Sequence, residues 1–342
     1  MVCLTGQPLS CVRANGASEF PAVGEFELIE RFFARLGVSR ADVTLGVGDD
    51  AALLVVPPQH ELVACVDTLV QGRHFPATTR ADDIGWRSLA VNLSDIAAMG
   101  ATPAWATLAL TLPTADEEWL ESFSLGFDAV AKAHQVSLVG GDTTQGPLTV
   151  TVQVMGFLPS GTALRRSGAQ VGDLLYVTGW PGDAAAGLAL IEGRLSGQGA
   201  YRGALEHKFR RPEPRVAFGQ RLRGVASACV DVSDGLAQDL GRLIGASGVG
   251  AVMRASELPL SQALFALAGE RGARDFALGG GDDYELLFTV PPSRRAGLAR
   301  AMATAGSPAC HCIGEITEGR GIRLVSAAGD LSLPAGWDHF SV

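Results

Sequence analysis

Short apolar segments of strand length alternate with longer stretches of helical periodicity along most of this chain. In the first half, the spacing of apolar residues predicts helices over 27–36, 82–99 and 116–134 and strands over 51–56, 62–66, 104–112, 136–139 and 148–157. Strands that alternate with helices indicate an α/β fold. Because strands outnumber helices in this half, we expect at least part of its sheet to be antiparallel.

A change of composition near residue 160 separates two predicted domains. There the sequence becomes rich in Pro, Ser, Gly and Arg before a new strand begins at Asp173, as is typical of a connection between domains. In the second half, a glycine-rich loop is predicted over 196–203. We therefore predict a flexible N-terminal extension over 1–23, an N-terminal domain over 24–160 and a C-terminal α/β domain over 161–342.

The charge and hydrophobicity of the chain argue against two classes of partner. The formal net charge is −9, whereas a protein that binds nucleic acid needs a basic face. No apolar run approaches the roughly 20 residues needed to span a bilayer, and the N-terminus lacks the basic and apolar regions of a signal peptide. With 47% hydrophobic residues, the chain is expected to be a globular cytoplasmic enzyme with no nucleic acid or membrane partner.

Aspartates stand at five boundaries of apolar segments, usually beside glycine. A single pair such as Asp234-Gly235 is usually a turn or a helix N-cap. A turn or N-cap role does not explain why aspartates recur at five boundaries. Ligands of α/β folds collect at strand ends, and carboxylates that converge there repel one another unless cations lie between them. Since Mg²⁺ prefers oxygen ligands, the pattern predicts a site for several magnesium ions. The boundaries are Gly48-Asp49-Asp50, Val66-Asp67, Gly141-Asp142, Asp231-Val232-Ser233-Asp234 and Gly281-Asp282-Asp283.

A polar stripe on the predicted helix 82–99 adds one more carboxylate. Ser88, Asn92 and Asp95 lie at i, i+4 and i+7 along one line of the helix, and most of the remaining surface is apolar. A stripe of this kind either faces solvent or points into a site. We favour the second interpretation, in which Asp95 joins the magnesium ligands.

Phosphate chemistry is the expected use of such a site, because magnesium bound by carboxylates usually takes substrate phosphates as further ligands. The sequence has neither a G-x-x-x-x-G-K-[ST] loop nor a G-x-G-x-x-G loop followed by a strand lysine, and lysine occurs only at Lys132 and Lys208. Metal ions and arginines such as Arg166 are therefore predicted to stabilise the transferred phosphate. No Ser-His-Asp or Cys-His arrangement indicates a protein nucleophile.

A series of ordered motifs extends from residue 24 to residue 340. The motifs include Gly24-Glu25-Phe26, Gly48-Asp49-Asp50-Ala51, Asp67-Thr68-Leu69-Val70, His74-Phe75, Asn92-Leu93-Ser94-Asp95, Gly140-Gly141-Asp142-Thr143-Thr144, Arg166-Ser167-Gly168, Asp231-Val232-Ser233-Asp234-Gly235, Asp282-Asp283-Tyr284-Glu285-Leu286 and Trp337-Asp338-His339-Phe340. With these motifs the chain resembles one known family, the thiamine-monophosphate kinases, within the superfamily of aminoimidazole ribonucleotide synthetase and selenophosphate synthetase. The resemblance implies a two-domain α/β fold like that of aminoimidazole ribonucleotide synthetase. It also implies a homodimer in which the N-terminal mixed sheets pair into a barrel, with the site between the N- and C-terminal domains.

The same resemblance implies a reaction and a role for each matching residue. The reaction is direct, in-line transfer from ATP to thiamine phosphate, assisted by several Mg²⁺ ions and giving thiamine diphosphate. The N-terminal domain would bind nucleotide and metal and form the dimer. The implied magnesium ligands are Asp50, Asp67, Asp95, Asp142, Asp231 and Asp234. The implied ATP contacts are Gly141, Asp142, Arg166 and Ser233, and the implied thiamine phosphate contacts are His74, Asp282 and Trp337.

Several positions depart from the family pattern. Cys65 and Val66 stand where the family often has small hydroxyl residues, so only backbone carbonyls could bind a hard metal there. Asp282 stands where the family has glutamate, which shortens its reach by one methylene. Trp337 stands at an aromatic position of variable type, where a packing role at the C-terminus is the alternative to substrate contact.

Two alternatives to a thiamine phosphate kinase stay open on the residues. The first is another ATP-using enzyme of the superfamily, such as an aminoimidazole ribonucleotide synthetase, which the set of His74, Asp282 and Trp337 disfavours. The second is a regulatory protein that binds nucleotide or thiamine phosphate without turnover, which the complete aspartate set disfavours.

Overall fold

The structure, a computed structural model, describes residues 25–334, so the predicted extension over 1–23 and Trp337 lie outside the described residues. Helices α1 to α9 are Glu25–Leu28, Ala81–Ala98, Glu117–Ala133, Asp183–Ile191, Gly199–Arg210, Val216–Leu222, Leu236–Ser247, Gln262–Gly279 and Arg295–Ala303. Strands β1 to β13 are Val43–Leu45, Leu53–Leu54, His60–Val70, Thr102–Leu112, Ser137–Gln145, Thr149–Pro159, Leu174–Thr178, Ala228–Val232, Gly250–Arg254, Glu285–Val290, Cys310–Thr317, Gly321–Ser326 and Gly329–Leu331. Within residues 25–334, no helix has the length and apolar character needed to cross a membrane.

The first sheet has four strands in the order β3-β6-β4-β5. Strand β6 pairs antiparallel with β3 and β4, whereas β4 and β5 are parallel. The expected mixed sheet is therefore confirmed. Helices α2 and α3 cover its inner face, where Leu89, Leu93, Phe123 and Phe127 are fully buried. Their apolar stripes at helical spacing place these side chains against the alternate inward residues of the strands.

The outer face of this sheet is only partly covered. At one end, the β1–β2 hairpin packs over Trp105 and Val139 in a small apolar cluster. Toward the other end, the edge strand β3 exposes Leu62 and Val66, whose exposed fractions are 54% and 59%. An exposed row of large apolar side chains on a sheet commonly marks an interaction surface.

The second sheet has seven strands in the order β13-β12-β9-β11-β7-β10-β8. All its pairs are antiparallel except β9 with β12. One face packs on α7 through Leu240, Leu243 and neighbouring strand residues. The helices α4, α5 and α8 form a separate layer with its own buried cluster, which includes Leu190, Leu205 and Leu264.

Helix α2 contacts both domains along its length. Trp86 Nε1 donates a hydrogen bond to Pro212 O at 2.9 Å, and Arg211 pairs with Asp82 and Asp83, each at 2.7 Å. Near the other end, Gly219 lies so close that an added Cβ would be 2.0 Å from Ala97 O. The two domains are therefore joined through the helix that carries Asp95.

The predicted positions of three aspartates relative to their strands were wrong, and the strand predicted over 51–56 is only Leu53–Leu54. Asp67, Asp142 and Asp231 lie within β3, β5 and β8 rather than after them. In β5 the sequence suggests a stop at Gly140-Gly141, but the strand continues to Gln145 because the backbone of Leu108 approaches Gly141 closely. An added Cβ at Gly141 would be 1.9 Å from Leu108 O, so glycine is what permits the pairing.

The predicted loop over 196–203 was also partly wrong, since α5 begins at Gly199. Leu205 and Phe209 are fully buried and secure this helix against the layer formed by α4 and α8 and against α2. Tertiary packing thus stabilises a helix in spite of the low helix propensity of its glycines.

Candidate functional site

A groove of about 1390 Å³ runs between the two domains. Its walls come from β3 and the turn after it, α2, the loop after β8, the loop before β10, and helices α4 and α8. The fold therefore brings together residues that are more than 200 positions apart in the sequence. The predicted site residues that line this groove are Asp67, His74, Asp95, Asp231, Ser233, Asp234 and Asp282.

The carboxylates of the groove interact electrostatically where β3, α2 and β8 meet. Burial, together with the negative charges of Asp231 and Asp67, raises the pKa of Asp95 to about 8. Burial also raises the pKa of Asp231 to about 6, and burial with the charge of Asp234 raises the pKa of Asp67. Each carboxylate thus disfavours the ionisation of its neighbours. Arg73 and Arg194 also line the groove, whereas no lysine among the described residues does.

A hard divalent cation fits this set of donors. Within residues 25–334, no three His, Cys, Asp or Glu side chains are arranged to hold an ion by themselves. Mg²⁺ usually takes one or two carboxylates and completes its shell with water and phosphate oxygens. A cation between these side chains would offset the repulsion that raises their pKa values. Asp67, Asp95, Asp231 and Asp234 are therefore candidate ligands for ions that also bind phosphate.

A smaller cavity of about 260 Å³ lies on the other side of Asp95 and Asp231 and contains Arg166. The positive charge of Arg166 acts on both carboxylates and opposes the effect of burial on their pKa values. Cys65 and Cys229 also line this cavity. Burial raises the pKa of both thiols, so they are protonated at neutral pH. Arg166 is thus a cation placed to meet an anionic ligand beside Asp95 and Asp231.

His74 and Asp282 lie on the part of the groove that is formed by the turn after β3 and the loop before β10. His74 Nδ1 accepts a hydrogen bond from Val70 N at 2.9 Å, which places the proton of the neutral ring on Nε2. Leu188 of α4 and Phe276 of α8 line the same groove. This part of the groove therefore offers both polar groups and apolar surface, as sites for small organic ligands commonly do.

The structure divides the predicted magnesium ligands into two sets. One row of paired residues crosses the four strands of the sheet: Asp142 of β5, Ala109 of β4, Thr151 of β6 and Thr68 of β3. The hydroxyl groups of Thr151 and Thr68 are 2.9 Å apart on the outer face of the sheet. Asp142 therefore lies on the outer face as well. Asp67 directly precedes Thr68 on β3 and therefore points to the opposite, inner face of the sheet. Strands β3 and β5 are opposite edges of the sheet, so Asp142 and Asp67 are separated by three strand spacings, about 14 Å.

Asp50 and Gly141 also lie outside the groove. Asp50 is exposed in the loop between β1 and β2, the hairpin that covers the outer face of the sheet. Asp50 and Asp142 are thus on the outer side, whereas the groove carboxylates are on the inner side. The expectation that these residues hold magnesium and ATP stays a prediction, and one chain does not bring the two sets together.

Three residues that support the site were missed from the sequence. Asp239 is fully buried, and its Oδ2 accepts hydrogen bonds from the backbone N–H groups of Ser233 and Asp234, both at 3.0 Å. Arg242 pairs with Asp234 and with Asp239. Ser94 Oγ donates to Asp231 Oδ2 at 2.8 Å. The roles of Asp239 and Arg242 could have been predicted from the sequence, because both lie in the first turns of the helix that follows Asp234. The role of Ser94 could not, because its partner Asp231 is 137 positions away.

Comparison with known proteins agrees with this architecture. Residues 48–158 match the family model for the N-terminal domain of AIR synthase related proteins, and residues 170–326 match the model for the C-terminal domain. The thiamine-monophosphate kinase of Salmonella typhimurium is 47% identical over 323 residues, which cover 94% of this chain and 99% of the relative.

Two solved structures are similar to this chain in fold and sequence. The crystal structure of thiamine-monophosphate kinase from Stenotrophomonas maltophilia has a TM-score of 0.80 and 49% identity, covering 84% of this chain and 92% of that chain. A structure of AaThiL complexed with AMPPCP and TMP has a TM-score of 0.74 and 31% identity, covering 84% of this chain and 89% of that chain. On these matches, the chain belongs to the thiamine-monophosphate kinase family of AIR synthase related proteins.

Proposed function

We propose that this protein transfers the terminal phosphoryl group of ATP to thiamine phosphate and so forms thiamine diphosphate, with Mg²⁺ as cofactor, in the cytoplasm. The observation that carries the proposal is the groove in which Asp67, Asp95, Asp231 and Asp234 lie beside His74 and Asp282. A family relative whose structure holds AMPPCP and TMP together supports the choice of the two substrates. The groove is large enough for two ligands of that size side by side.

The reaction needs positioning and charge stabilisation rather than a protein nucleophile. The acceptor is already an anionic phosphate, so its oxygen can attack the terminal phosphorus without a strong general base. Bound magnesium would supply charge stabilisation for the transferred group. The carboxylates Asp67, Asp95, Asp231 and Asp234 would hold the ions, and Ser94, Asp239 and Arg242 fix the carboxylates and their loop through the hydrogen bonds and ion pairs given above.

The remaining groups orient the two substrates. Arg166 would meet the phosphates of ATP from the smaller cavity, next to Asp95 and Asp231. His74 lines the groove together with Asp282, and its ring is oriented by the hydrogen bond that Nδ1 accepts from Val70 N. Asp282 is suited to the cationic or hydrogen-bond-donating part of thiamine, because a carboxylate repels phosphate. Holding both substrates in line is the contribution that such a site makes to the rate.

We also propose that two subunits complete each site. The carboxylates Asp50 and Asp142 lie on the outer face of the sheet, which also exposes Leu62 and Val66. Pairing of two outer faces would bury this apolar surface. It would also bring the outer-face carboxylates of one subunit to the groove of the other. This arrangement accounts for predicted ligands that a single chain keeps about 14 Å apart.

The test is an assay of ADP release and thiamine diphosphate formation by the purified protein, with and without thiamine phosphate and Mg²⁺. We expect both products only when ATP, thiamine phosphate and Mg²⁺ are all present. ADP release without thiamine diphosphate would indicate another ATP-using enzyme of the superfamily. Binding of thiamine phosphate without turnover would indicate a regulatory protein.

A matched pair of variants tests the role of the groove carboxylates. Asp95→Asn removes one buried carboxylate from the groove and should lower kcat/KM by about 100-fold or more. Asp183→Asn removes another buried carboxylate, which accepts a hydrogen bond from Ser261 Oγ at 2.6 Å and lies outside the groove. That control should retain activity. Equal loss in both variants would contradict the assignment.

A further inference from the structure

Arg87 is a buried cation on α2 that the proposed chemistry does not use. Its exposed fraction is 1%, and its guanidinium carbon lies 4.5 Å from the centre of the Phe209 ring and 5.6 Å from that of Tyr284. Nη1 donates a hydrogen bond to Phe209 O at 2.6 Å. Burial of an unpaired charge costs free energy of folding, so the buried guanidinium of Arg87 needs a carboxylate partner.

That partner is Asp282, whose side chain lines the groove. Arg87 Nη2 donates to Asp282 Oδ1, and Tyr284 Oη donates to the same oxygen at 3.2 Å. Among the described residues, Asp282 Oδ2 has no hydrogen-bond partner, while the side chain keeps 27% of its surface exposed. One oxygen is thus held by the protein, and the other is available to a ligand in the groove.

The backbone around Asp282 has a conformation that residues other than glycine rarely adopt. Asp282 and Tyr284 have φ values of +71° and +53°, in the left-handed region that is unfavourable for residues other than glycine. Their N–H groups donate to Ser233 O and Val232 O, both at 2.8 Å. Such strain persists where surrounding contacts fix the segment.

Asp283, between these two residues, anchors the loop from the other side. Its carboxylate accepts hydrogen bonds from Gly182 N at 2.7 Å and Ala184 N at 3.3 Å, at the beginning of α4. The backbone of the loop is therefore fixed by α4 and by the loop after β8. The direction of the Asp282 side chain is then set by its contacts with Arg87 and Tyr284.

We infer that Arg87 is a positioning residue for recognition of the thiamine part of the substrate and acts through Asp282. The inference rests on the proposed function. Asp282 has a short side chain that lines the groove, so its contact with a ligand depends on the direction in which its carboxylate is held. Arg87 and Asp95 lie eight residues apart on α2, which corresponds to about 12 Å along the helix axis. Helix α2 thereby sets the distance between the thiamine-binding carboxylate and the phosphate end of the groove.

A double-mutant cycle tests this role with kinetics for each substrate. Arg87→Met and Asp282→Asn should each raise the KM for thiamine phosphate by about 10-fold or more, the scale of a lost hydrogen bond to a charged group. The KM for ATP should change by less than about twofold. Because Arg87 acts through Asp282, the double variant should resemble Asp282→Asn alone rather than show the product of the two effects.

Two further variants separate positioning from stability. Arg211→Met removes another arginine that ties α2 to the second domain, through Asp82 and Asp83, and it should lower the Tm without changing the KM for thiamine phosphate. Arg87→Lys keeps the charge but loses the fork of the guanidinium. Its KM for thiamine phosphate should lie between the values of the wild-type protein and Arg87→Met. If Arg87→Met does not fold, Arg87→Lys replaces it in the double-mutant cycle.

The inference is overturned if a folded Arg87 variant binds thiamine phosphate normally, if the KM for ATP rises equally, or if the effects in the double variant multiply. These outcomes differ from failure of the proposed function, which would appear in the wild-type protein as no turnover and no calorimetric binding of thiamine phosphate. That result would overturn both. Normal wild-type turnover with any of the first three results would overturn only the role of Arg87.

Discussion

Mixing two inactive variants should restore activity if each site draws carboxylates from two subunits. Asp95→Asn damages the groove on the inner side of the sheet, whereas Asp142→Asn damages the outer face. In a mixed dimer, one site combines the intact groove of one subunit with the intact outer face of the other. The second site carries both defects. One functional site per mixed dimer is therefore expected.

The size of the recovery follows from this geometry. Subunits that reassort at random from equal amounts form mixed dimers about half of the time, and each has one of two sites intact, so activity should reach about a quarter of wild type. Mixed dimers isolated through two different affinity tags should reach about half. Each variant alone should show about 1% of wild-type activity or less.

The assay is thiamine diphosphate formation after the two variants are mixed under conditions that exchange subunits. A mixture of Asp67→Asn with Asp95→Asn is the matched control, since both changes lie on the inner side and no mixed dimer then has an intact site. Recovery in that control, or none between Asp95→Asn and Asp142→Asn in confirmed mixed dimers, would refute the division of the site between two subunits.

Four further predictions concern the substrate, the metal, the fold and the reaction course. On the role that the family resemblance implies for Trp337, Trp337→Ala should raise the KM for thiamine phosphate by about 3- to 30-fold, the scale of a cation–π interaction, with partial recovery in Trp337→Phe, as measured by steady-state kinetics. Because the pKa of Asp95 is raised to about 8, Mg²⁺ must displace a proton below that pH. Its apparent affinity in activity titrations should therefore rise up to about tenfold per pH unit between pH 6 and 8, and a flat profile would contradict this. Arg215→Met leaves the buried Glu285 without the arginine that contacts both its oxygens, so urea unfolding should show a loss of about 3–5 kcal/mol. A chiral-phosphate experiment should show inversion at the transferred phosphorus, since a single in-line displacement inverts, and retention would indicate a phosphorylated protein intermediate.

Features with a local cause could be predicted from the sequence. Helix α2 was expected over 82–99 and spans Ala81–Ala98, because its apolar periodicity and its packing agree. Antiparallel pairing in the first sheet was also expected, because predicted strands outnumber predicted helices in the first half of the chain, and β6 pairs antiparallel with β3 and β4. Asp67, Asp95, Asp231 and Asp234 were singled out by residue type and spacing, and all line one groove.

Features with a distant cause could not be predicted. Gly141 resembles a strand end in the sequence, and only the approach of the Leu108 backbone shows why the strand continues. The face on which Asp142 lies depends on that continuation, since a shift of one residue moves a side chain across the sheet. Arg87 pairs with a residue 195 positions away, and nothing in its neighbourhood in the sequence indicates a buried ion pair.

The double attachment of α2 limits how this protein can enclose its substrates. A hinge motion that narrowed the groove would have to break the Trp86 hydrogen bond to Pro212, the ion pairs of Arg211 and the close backbone contact between Gly219 and Ala97. Many kinases exclude water by swinging one lobe over the nucleotide. We therefore expect the groove of this protein to keep its width when substrates bind, so that the second substrate enters a site of unchanged shape. Small-angle scattering should accordingly give the same radius of gyration with and without bound nucleotide.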